Sequence, residues 1–205
     1  MVKVIHPNDN LFLKRRKQRY NALPEDIQVK LDALDEEQNP NEYQLKLIKR
    51  KRVHPKKGDI FLVSPRDNLY FYGLVMKDSI NNINGEDLLI VMIFKDKATF
   101  VDGATVTPGF TPDFKNLLIR PCTVGREYWT RGYFFNVGHT DESFEQIDYG
   151  FYDIVLGFYC NEYRQEITAP QDPNLVGLFS VSTITGIGRK INEELIIDSS
   201  LAELP

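Results

Sequence analysis

The pattern of apolar residues changes at Gly58, and this change constrains the fold more than any other feature of the chain. From Gly58 onward the apolar residues come in short runs, rich in β-branched and aromatic types, which Gly, Pro, Asn and Asp separate. Such runs are typical of β-strands joined by turns. Because no long helix is predicted between them, neighbouring strands should pair mostly antiparallel, in a strongly curved sheet or a small SH3-like barrel.

The strand predictions differ in what they imply. The turn-forming loop at residues 64–68 is short enough to join its flanking strands as an antiparallel hairpin. The unbroken apolar run at residues 88–94 predicts a strand buried on both faces. The glycine-containing stretch at residues 186–190 lacks the spacing of a phosphate-binding loop and is interpreted as the end of a strand. The predicted strands span residues 60–63, 69–76, 88–94, 116–119, 133–137, 151–159 and 176–183.

Before Gly58 the sequence predicts three helices. The first carries the basic run of residues 14–19, and the second begins at Pro24 and has apolar residues spaced by four and three. A third is predicted over residues 39–52, ending in the basic run of residues 49–52. The predicted fold class is therefore α+β, with a helical N-terminal region at residues 1–57 and a mainly antiparallel β domain at residues 58–205.

Charge divides at the same point. Residues 1–57 hold 14 Lys and Arg against 8 Asp and Glu, whereas residues 58–205 hold 11 against 21. The formal net charge of −4 thus averages a basic region of +6 and an acidic domain of −10. We therefore expect the two regions to differ in the partners that they attract.

The residue inventory favours a binding protein over an enzyme. His6, His54 and His139 are the three histidines, and no spacing typical of a metal site occurs, so neither a metal nor another cofactor is predicted. Cys122 and Cys160 are expected to be reduced and structural. A nucleophilic pair of Cys160 with His139 is disfavoured, because burial at the end of an apolar strand raises the pKa of a thiol. No stretch is long and apolar enough to cross a membrane, and no signal peptide is evident, so a cytoplasmic location is expected.

The segment at residues 141–166 combines acidic and aromatic side chains. It holds seven carboxylates against one arginine, Arg164, interleaved with phenylalanine and tyrosine. At an interface, aromatic rings supply contact area while carboxylates steer a basic partner. The other interpretation is that the rings form core and the acids only solubilise the outer face. The partner-binding residues predicted from this pattern are Asp141, Glu142, Glu145, Asp148, Tyr149 and Tyr152.

Three segments carry a resemblance to a known family. Residues 57–63 form a Gly-Asp-Ile-Phe opening strand, residues 68–75 contain a Tyr-Phe-Tyr-Gly return strand, and residues 133–139 end in Gly-His. Together they resemble the immunity protein 26 family of bacterial polymorphic-toxin systems. The resemblance covers about half of the β domain and none of the helical region. It implies a cytoplasmic protein without catalytic activity that binds and neutralises a cognate toxin. We expect this toxin to be basic, and a nuclease would fit.

The alternative hypothesis is a nucleic-acid-associated protein. The Gly-Asp-Ile-Phe strand also resembles the opening strand of PemK-like toxin barrels, which implies an RNase or a regulator. In that case the basic helices, through Arg15, Arg16, Arg50 and Arg52, would contact phosphates. Nucleic-acid binding is not the favoured interpretation, because such runs are commonly solvated helix faces or can dock on the acidic domain of the same chain.

Overall fold

The computed structural model describes residues 11–101, 104–105 and 109–205. The helices in these ranges are α1 (Leu11–Asn21), α2 (Glu25–Glu36), the one-turn α3 (Glu127–Thr130) and α4 (Ile184–Ile197). The longer strands are β1 (Asp59–Arg66), β2 (Leu69–Asn82), β3 (Gly85–Ala98), β6 (Leu117–Val124) and β7 (Phe134–His139). The shorter ones are β4 (Phe100–Val101), β5 (Ala104–Thr105), β8 (Gly150–Asp153), β9 (Phe158–Cys160) and β10 (Val176–Leu178).

A five-stranded sheet in the order β6-β3-β2-β1-β7 forms the centre of the molecule. All four of its strand pairs are antiparallel, including the predicted hairpin of β1 and β2. A second sheet, in the order β10-β8-β9, adds one parallel and one antiparallel pair. The α+β class with a helical N-terminal region is thus confirmed. Of the two predicted forms, sheet and barrel, the structure has the open sheet, because β6 and β7 lie at opposite edges.

Helices cover one face of the central sheet. Phe61 and Val91 point into a core that α4 closes with Ile187, Ile191 and Leu195, side chains that lie four residues apart along the helix. This spacing places the three apolar side chains on one stripe of α4. The one-turn helix α3 adds two large rings to the same core, which are described below with the site.

The small sheet covers the opposite face. Leu62 and Leu74 of the central sheet belong to a second core, together with Phe151 of β8 and Phe144 of the loop before it. Because both faces are covered, the run at residues 88–94 is buried throughout, as predicted. The molecule is therefore layered, with α4 and α3 on one side of the central sheet and β8–β10 on the other.

The prediction of a third helix over residues 39–52 is wrong. Only a short 3₁₀ turn, Pro40–Glu42, forms there, and the chain then runs extended along the central sheet. The backbone N–H of Lys46 donates to Ser64, and that of Ile48 donates to Gly132. Leu45 enters the core beneath α4. Apolar side chains spaced by two fit an extended segment as well as a helix, and the bonds to the sheet decide between them.

Two predictions near the C-terminus are also wrong. Residues 186–190 do not end a strand, because they lie inside α4. Thr183 is the N-cap of this helix, and its hydroxyl accepts a hydrogen bond from the N–H of Gly186. Residues 151–159 do not form one strand either. They fold back as the hairpin of β8 and β9, and Gly157 supplies the positive φ of 72° that the turn requires.

Candidate functional site

The four predicted acidic residues lie on one irregular connection between β7 and β8. We call residues 141–148 the acidic segment. Phe144 fixes it to the molecule, since its ring is buried in the core and lies 5.3 Å from the ring of Phe114. The N–H of Glu142 donates to the hydroxyl of Thr140, and that of Ile147 donates to the carbonyl of Phe144. The backbone of the segment is thereby held in place although it has no regular secondary structure.

All four carboxylates of the acidic segment are exposed to solvent. Glu145 lies 3.3 Å from the ammonium of Lys57, and Asp141 lies 3.4 Å from the imidazole of His139. Exposed pairs of this kind are weak, about 0–1 kcal/mol each, so both acids are free to exchange partners. Asp148 accepts a hydrogen bond from the N–H of Gln171. The segment therefore presents a concentration of negative charge with little local compensation.

The two predicted tyrosines have different surroundings. Tyr149 is half-buried beside Phe151, and burial raises the pKa of its phenol. Tyr152 lies in the core with only 3% of its surface exposed, and its ring is 5.2 Å from that of Tyr159. The placement of Tyr152 in a partner-contacting set is therefore a correction: all four residues of β8 are buried, so both faces of this short strand are covered and the Tyr152 side chain does not meet solvent.

Two further carboxylates of the predicted acidic-aromatic stretch are neutralised internally. Asp153 is buried and accepts a 2.7 Å hydrogen bond from the guanidinium of Arg164. Glu162 is buried against the ammonium of Lys77. These pairs serve the hairpin and its loop, so the charge available to a partner comes from the acidic segment and from Glu166, which is exposed.

Tyr163 is an exposed aromatic residue that sequence reasoning did not single out. Its side chain is 47% exposed, and the ammonium of Lys77 lies 5.1 Å from its ring centre. Tyr163 lies close enough to Tyr149 that its charge, with that of Glu162, further raises the pKa of the Tyr149 phenol. Tyr163 therefore presents a large exposed ring on the same side of the molecule as Tyr149, the residue that follows the acidic segment in the chain. Its exposure depends on the turn after β9, which a pattern of residue types does not reveal.

A chain of hydrogen bonds joins the core to the acidic segment. The indole N–H of Trp129 donates to Asn136 at 2.7 Å, and the amide of Asn136 donates to Asp59 at 2.8 Å. The other oxygen of Asp59 lies 2.8 Å from Nδ1 of His139, whose Nε2 faces Asp141. The hydrogen bond to Asp59 raises the pKa of His139, and the negative charge of Asp141 contributes in the same direction.

His139 gives the protein a specific pH dependence. Because its pKa is raised in the folded state, the charged imidazole stabilises the fold below the ordinary histidine pKa, and this contribution is lost as pH rises through the raised pKa. With 46% of the side chain exposed, solvent screening keeps the contribution below about 1 kcal/mol. NMR titration of the imidazole should show a lower pKa in Asp59→Asn than in the wild type. A smaller decrease is expected in Asp141→Asn, and an unchanged pKa in Asp59→Asn would contradict the assignment.

The other candidate chemistry fits the structure poorly. Cys160 is fully buried and burial raises its pKa to about 11, while both nitrogens of His139 face carboxylates, so the two do not form a nucleophilic pair. Cys122 is likewise buried as a free thiol. Within the described ranges no group of three or more His, Cys, Asp or Glu could hold a metal ion. His6 lies outside those ranges. None of the helices in the described part of the chain is long and apolar enough to span a membrane.

The basic residues divide into two sets. Arg16 and Arg19 of α1 pair with the α4 carboxylates Glu193 and Glu194, which matches the alternative that this run docks on the acidic domain of the same chain. Arg15 remains exposed. The run at residues 49–52, which includes Arg50 and Arg52, is exposed on an extended segment and not on a helix. The nucleic-acid hypothesis requires a basic helical face that is free to contact phosphates. Two arginines of that face, Arg16 and Arg19, instead form ion pairs within the protein.

Comparison with protein-family models, with curated proteins and with solved structures finds no match to this chain.

Proposed function

We propose that this chain is a cytoplasmic immunity-type protein that binds a basic toxin domain and covers its active site with the acidic segment. The observation that carries the proposal is the exposure of Asp141, Glu142, Glu145 and Asp148 on a backbone that Phe144 pins to the core. The resemblance of β1, β2 and β7 to the immunity protein 26 family supports the same role. Catalysis by the chain itself is not part of the proposal.

The charge of the acidic segment suits a partner that itself binds anions. A nuclease active site lines its cleft with cations that contact phosphates. Carboxylates held on a fixed backbone can occupy such a cleft in place of the phosphates, and they lose little conformational entropy on binding because the segment is already ordered. Their field also accelerates the encounter with a positively charged surface. The toxin that fits best is therefore a nuclease with a basic cleft.

An aromatic anchor lies beside the charge. Tyr163 combines an exposed ring with a phenol, a combination that is enriched at the energetic centres of interfaces. Half-buried Tyr149 adds to the same surface. We propose that Asp141, Glu142, Glu145 and Asp148 set the rate of association, and that Tyr163 and Tyr149 slow dissociation.

Neutralising the acidic segment tests the proposal. The variant Asp141→Asn, Glu142→Gln, Glu145→Gln, Asp148→Asn should associate at least about tenfold more slowly at low ionic strength with the cognate toxin domain. Stopped-flow kinetics measures this rate. For the wild type the rate should fall as salt rises, since screening removes the attraction, and the two proteins should converge near 1 M salt, where the Debye length is about 3 Å.

A matched control removes the same charge elsewhere. Glu36, Asp67, Glu86 and Asp113 are exposed and lie outside the acidic segment, so their neutralisation should slow association much less. Equal rates for the wild type and the acidic-segment variant at low salt would refute the proposal. Tyr163→Ala should raise the dissociation rate and leave association nearly unchanged. If instead the wild type binds RNA near physiological salt and not the toxin, the nucleic-acid alternative gains.

A further inference from the structure

A cleft of about 370 Å³ opens between α1, α4 and the strands β6 and β10, and Asp35 near the end of α2 also lines it. It is formed by different elements from those that carry the acidic segment. Its volume falls in the range of about 300–1,000 Å³ that small-molecule sites occupy. Apolar side chains, among them Phe12 and Leu178, line part of it, and charged side chains line the rest.

Most of the charge in this cleft is already paired. Arg19 makes two hydrogen bonds of 2.6 Å to the carboxylate of Glu194, which raises its pKa. Arg16 lies within 3.6 Å of Glu193. Arg189 donates to the carbonyl of Leu34 at 2.6 Å and so holds the end of α2. These cations are satisfied within the protein and have no need of a ligand.

Arg120 differs from them. Within residues 11–101, 104–105 and 109–205, no carboxylate lies within 4.0 Å of its guanidinium, which stacks instead 4.6 Å from the ring centre of Phe12. Burial lowers the pKa of Arg120, the positive charges of Arg19 and Arg15 lower it further, and the more distant carboxylate of Glu194 offsets only part of this. The protein thus keeps a partly buried cation among like charges. A partly buried cation without a carboxylate in direct contact costs stability, and an anion bound beside it would offset that cost.

Lys190 of α4 is the second cation without a carboxylate. In the described part of the chain its ammonium contacts Sγ of Cys122 at 3.6 Å and the hydroxyl of Ser182 at 3.4 Å. The contact to the hydroxyl is long for a charged donor, and a neutral thiol is a weak acceptor. Gly186, in the first turn of the 14-residue helix α4, also lines the cleft, and the positive end of a helix dipole favours an anion there.

We propose that the cleft binds a small organic anion whose phosphate or carboxylate group lies between Arg120 and Lys190. The apolar remainder of the ligand would pack against Phe12 and Leu178. Arg120 offers a planar fork of donors that matches either anionic group, and Lys190 adds a point charge. This site is independent of toxin binding, since none of its residues belongs to the acidic segment.

Binding of simple anions tests this assignment. Inorganic phosphate, pyrophosphate and citrate are titrated into the protein at ionic strength matched with NaCl, with calorimetry for affinity and thermal unfolding for stability. An anion at ten times its dissociation constant should raise the unfolding midpoint by about 3–6 °C. A shift with phosphate or pyrophosphate alone identifies a phosphoryl ligand, and a shift with citrate alone identifies a carboxylate.

The variants separate a built site from general surface charge. Arg120→Gln and Lys190→Gln should each weaken anion binding at least tenfold. Without anion, Arg120→Gln should unfold at the same or a higher temperature than the wild type, because it removes a partly buried charge that no carboxylate contacts directly. Arg52→Gln, at an exposed cation outside the cleft, should bind as the wild type does. Absence of a midpoint shift with all three anions, or equal weakening by Arg52→Gln, would overturn the proposal.

Discussion

Replacing Trp129 by alanine is expected to lower the free energy of unfolding by about 3–5 kcal/mol. The side chain is 1% exposed, and its ring packs edge-on against Phe61 at 5.3 Å and Phe134 at 5.1 Å. The substitution leaves a large cavity in the core next to α3 and removes the N–H that Asn136 accepts. Both losses act in the same direction, which is why the expected effect is large.

Comparison of two variants separates the loss of ring packing from the loss of the N–H donor. Chemical denaturation followed by circular dichroism gives the free energy of unfolding of each variant. Tryptophan fluorescence cannot be used here, because Trp129 is the sole tryptophan of the sequence. Trp129→Phe keeps much of the ring packing but removes the N–H, so it should cost clearly less than the alanine variant. The exposed residue Tyr163 is the matched control, and Tyr163→Ala should cost under about 0.5 kcal/mol. A cost below about 1 kcal/mol for Trp129→Ala would contradict the described packing.

Replacing Asp153 by asparagine is expected to cost about 3 kcal/mol. Asp153 accepts hydrogen bonds from the N–H groups of Val155 and Leu156 and from the guanidinium of Arg164. Burial by itself raises the pKa of this carboxyl, but the N–H of Leu156 and the charge of Arg164 outweigh it and hold the pKa below its ordinary value. Asparagine keeps one acceptor and leaves Arg164 without its counter-charge. The estimate is at the low end for a buried pair because 28% of the Arg164 side chain is exposed.

The same pair predicts an acid sensitivity with a defined sign. A carboxyl with a lowered folded pKa contributes stability above its unfolded pKa and loses it as pH falls through the folded value. The wild type should therefore lose stability below about pH 4, and Asp153→Asn should lose less over that range. Asp113 also accepts a backbone N–H but is exposed, so Asp113→Asn is the matched control and should change stability little. An Asp153→Asn variant within 0.5 kcal/mol of the wild type would be inconsistent with this account.

Local pattern predicted the central sheet well. The first three strands and the β1–β2 hairpin follow from alternating and continuous apolar runs bounded by turn residues. The helix α4 was missed because Gly186 and Gly188 disfavour a helix. Gly188 has a tertiary reason, since a Cβ atom there would lie 2.3 Å from the carbonyl oxygen of Tyr43. The spacing of Ile187, Ile191 and Leu195 was the available signal for the helix.

The candidate site was only partly predictable, because contacts between residues distant in sequence decide which of its side chains are exposed. Exposure of the four acids follows from their position in an irregular segment, and composition is enough to suggest it. The fate of Glu162 depends on Lys77, which lies 85 residues earlier in the chain, and that pairing leaves no trace in local sequence. The difference between buried Tyr152 and exposed Tyr163 arises in the same way, because the position of each ring, on strand β8 or in the turn after β9, and not its residue type, decides whether it meets solvent.

The attachment of the N-terminal helices to α4 has a consequence for folding order. Arg189 donates to the carbonyl of Leu34, which is 155 residues away in sequence, and Arg19 pairs with Glu194 across 175 residues. During synthesis α1 and α2 leave the ribosome long before their docking surface exists. Contacts of such high sequence separation form late and slow the final step of folding. Helices α1 and α2 should therefore acquire their native environment only after α4 has been translated.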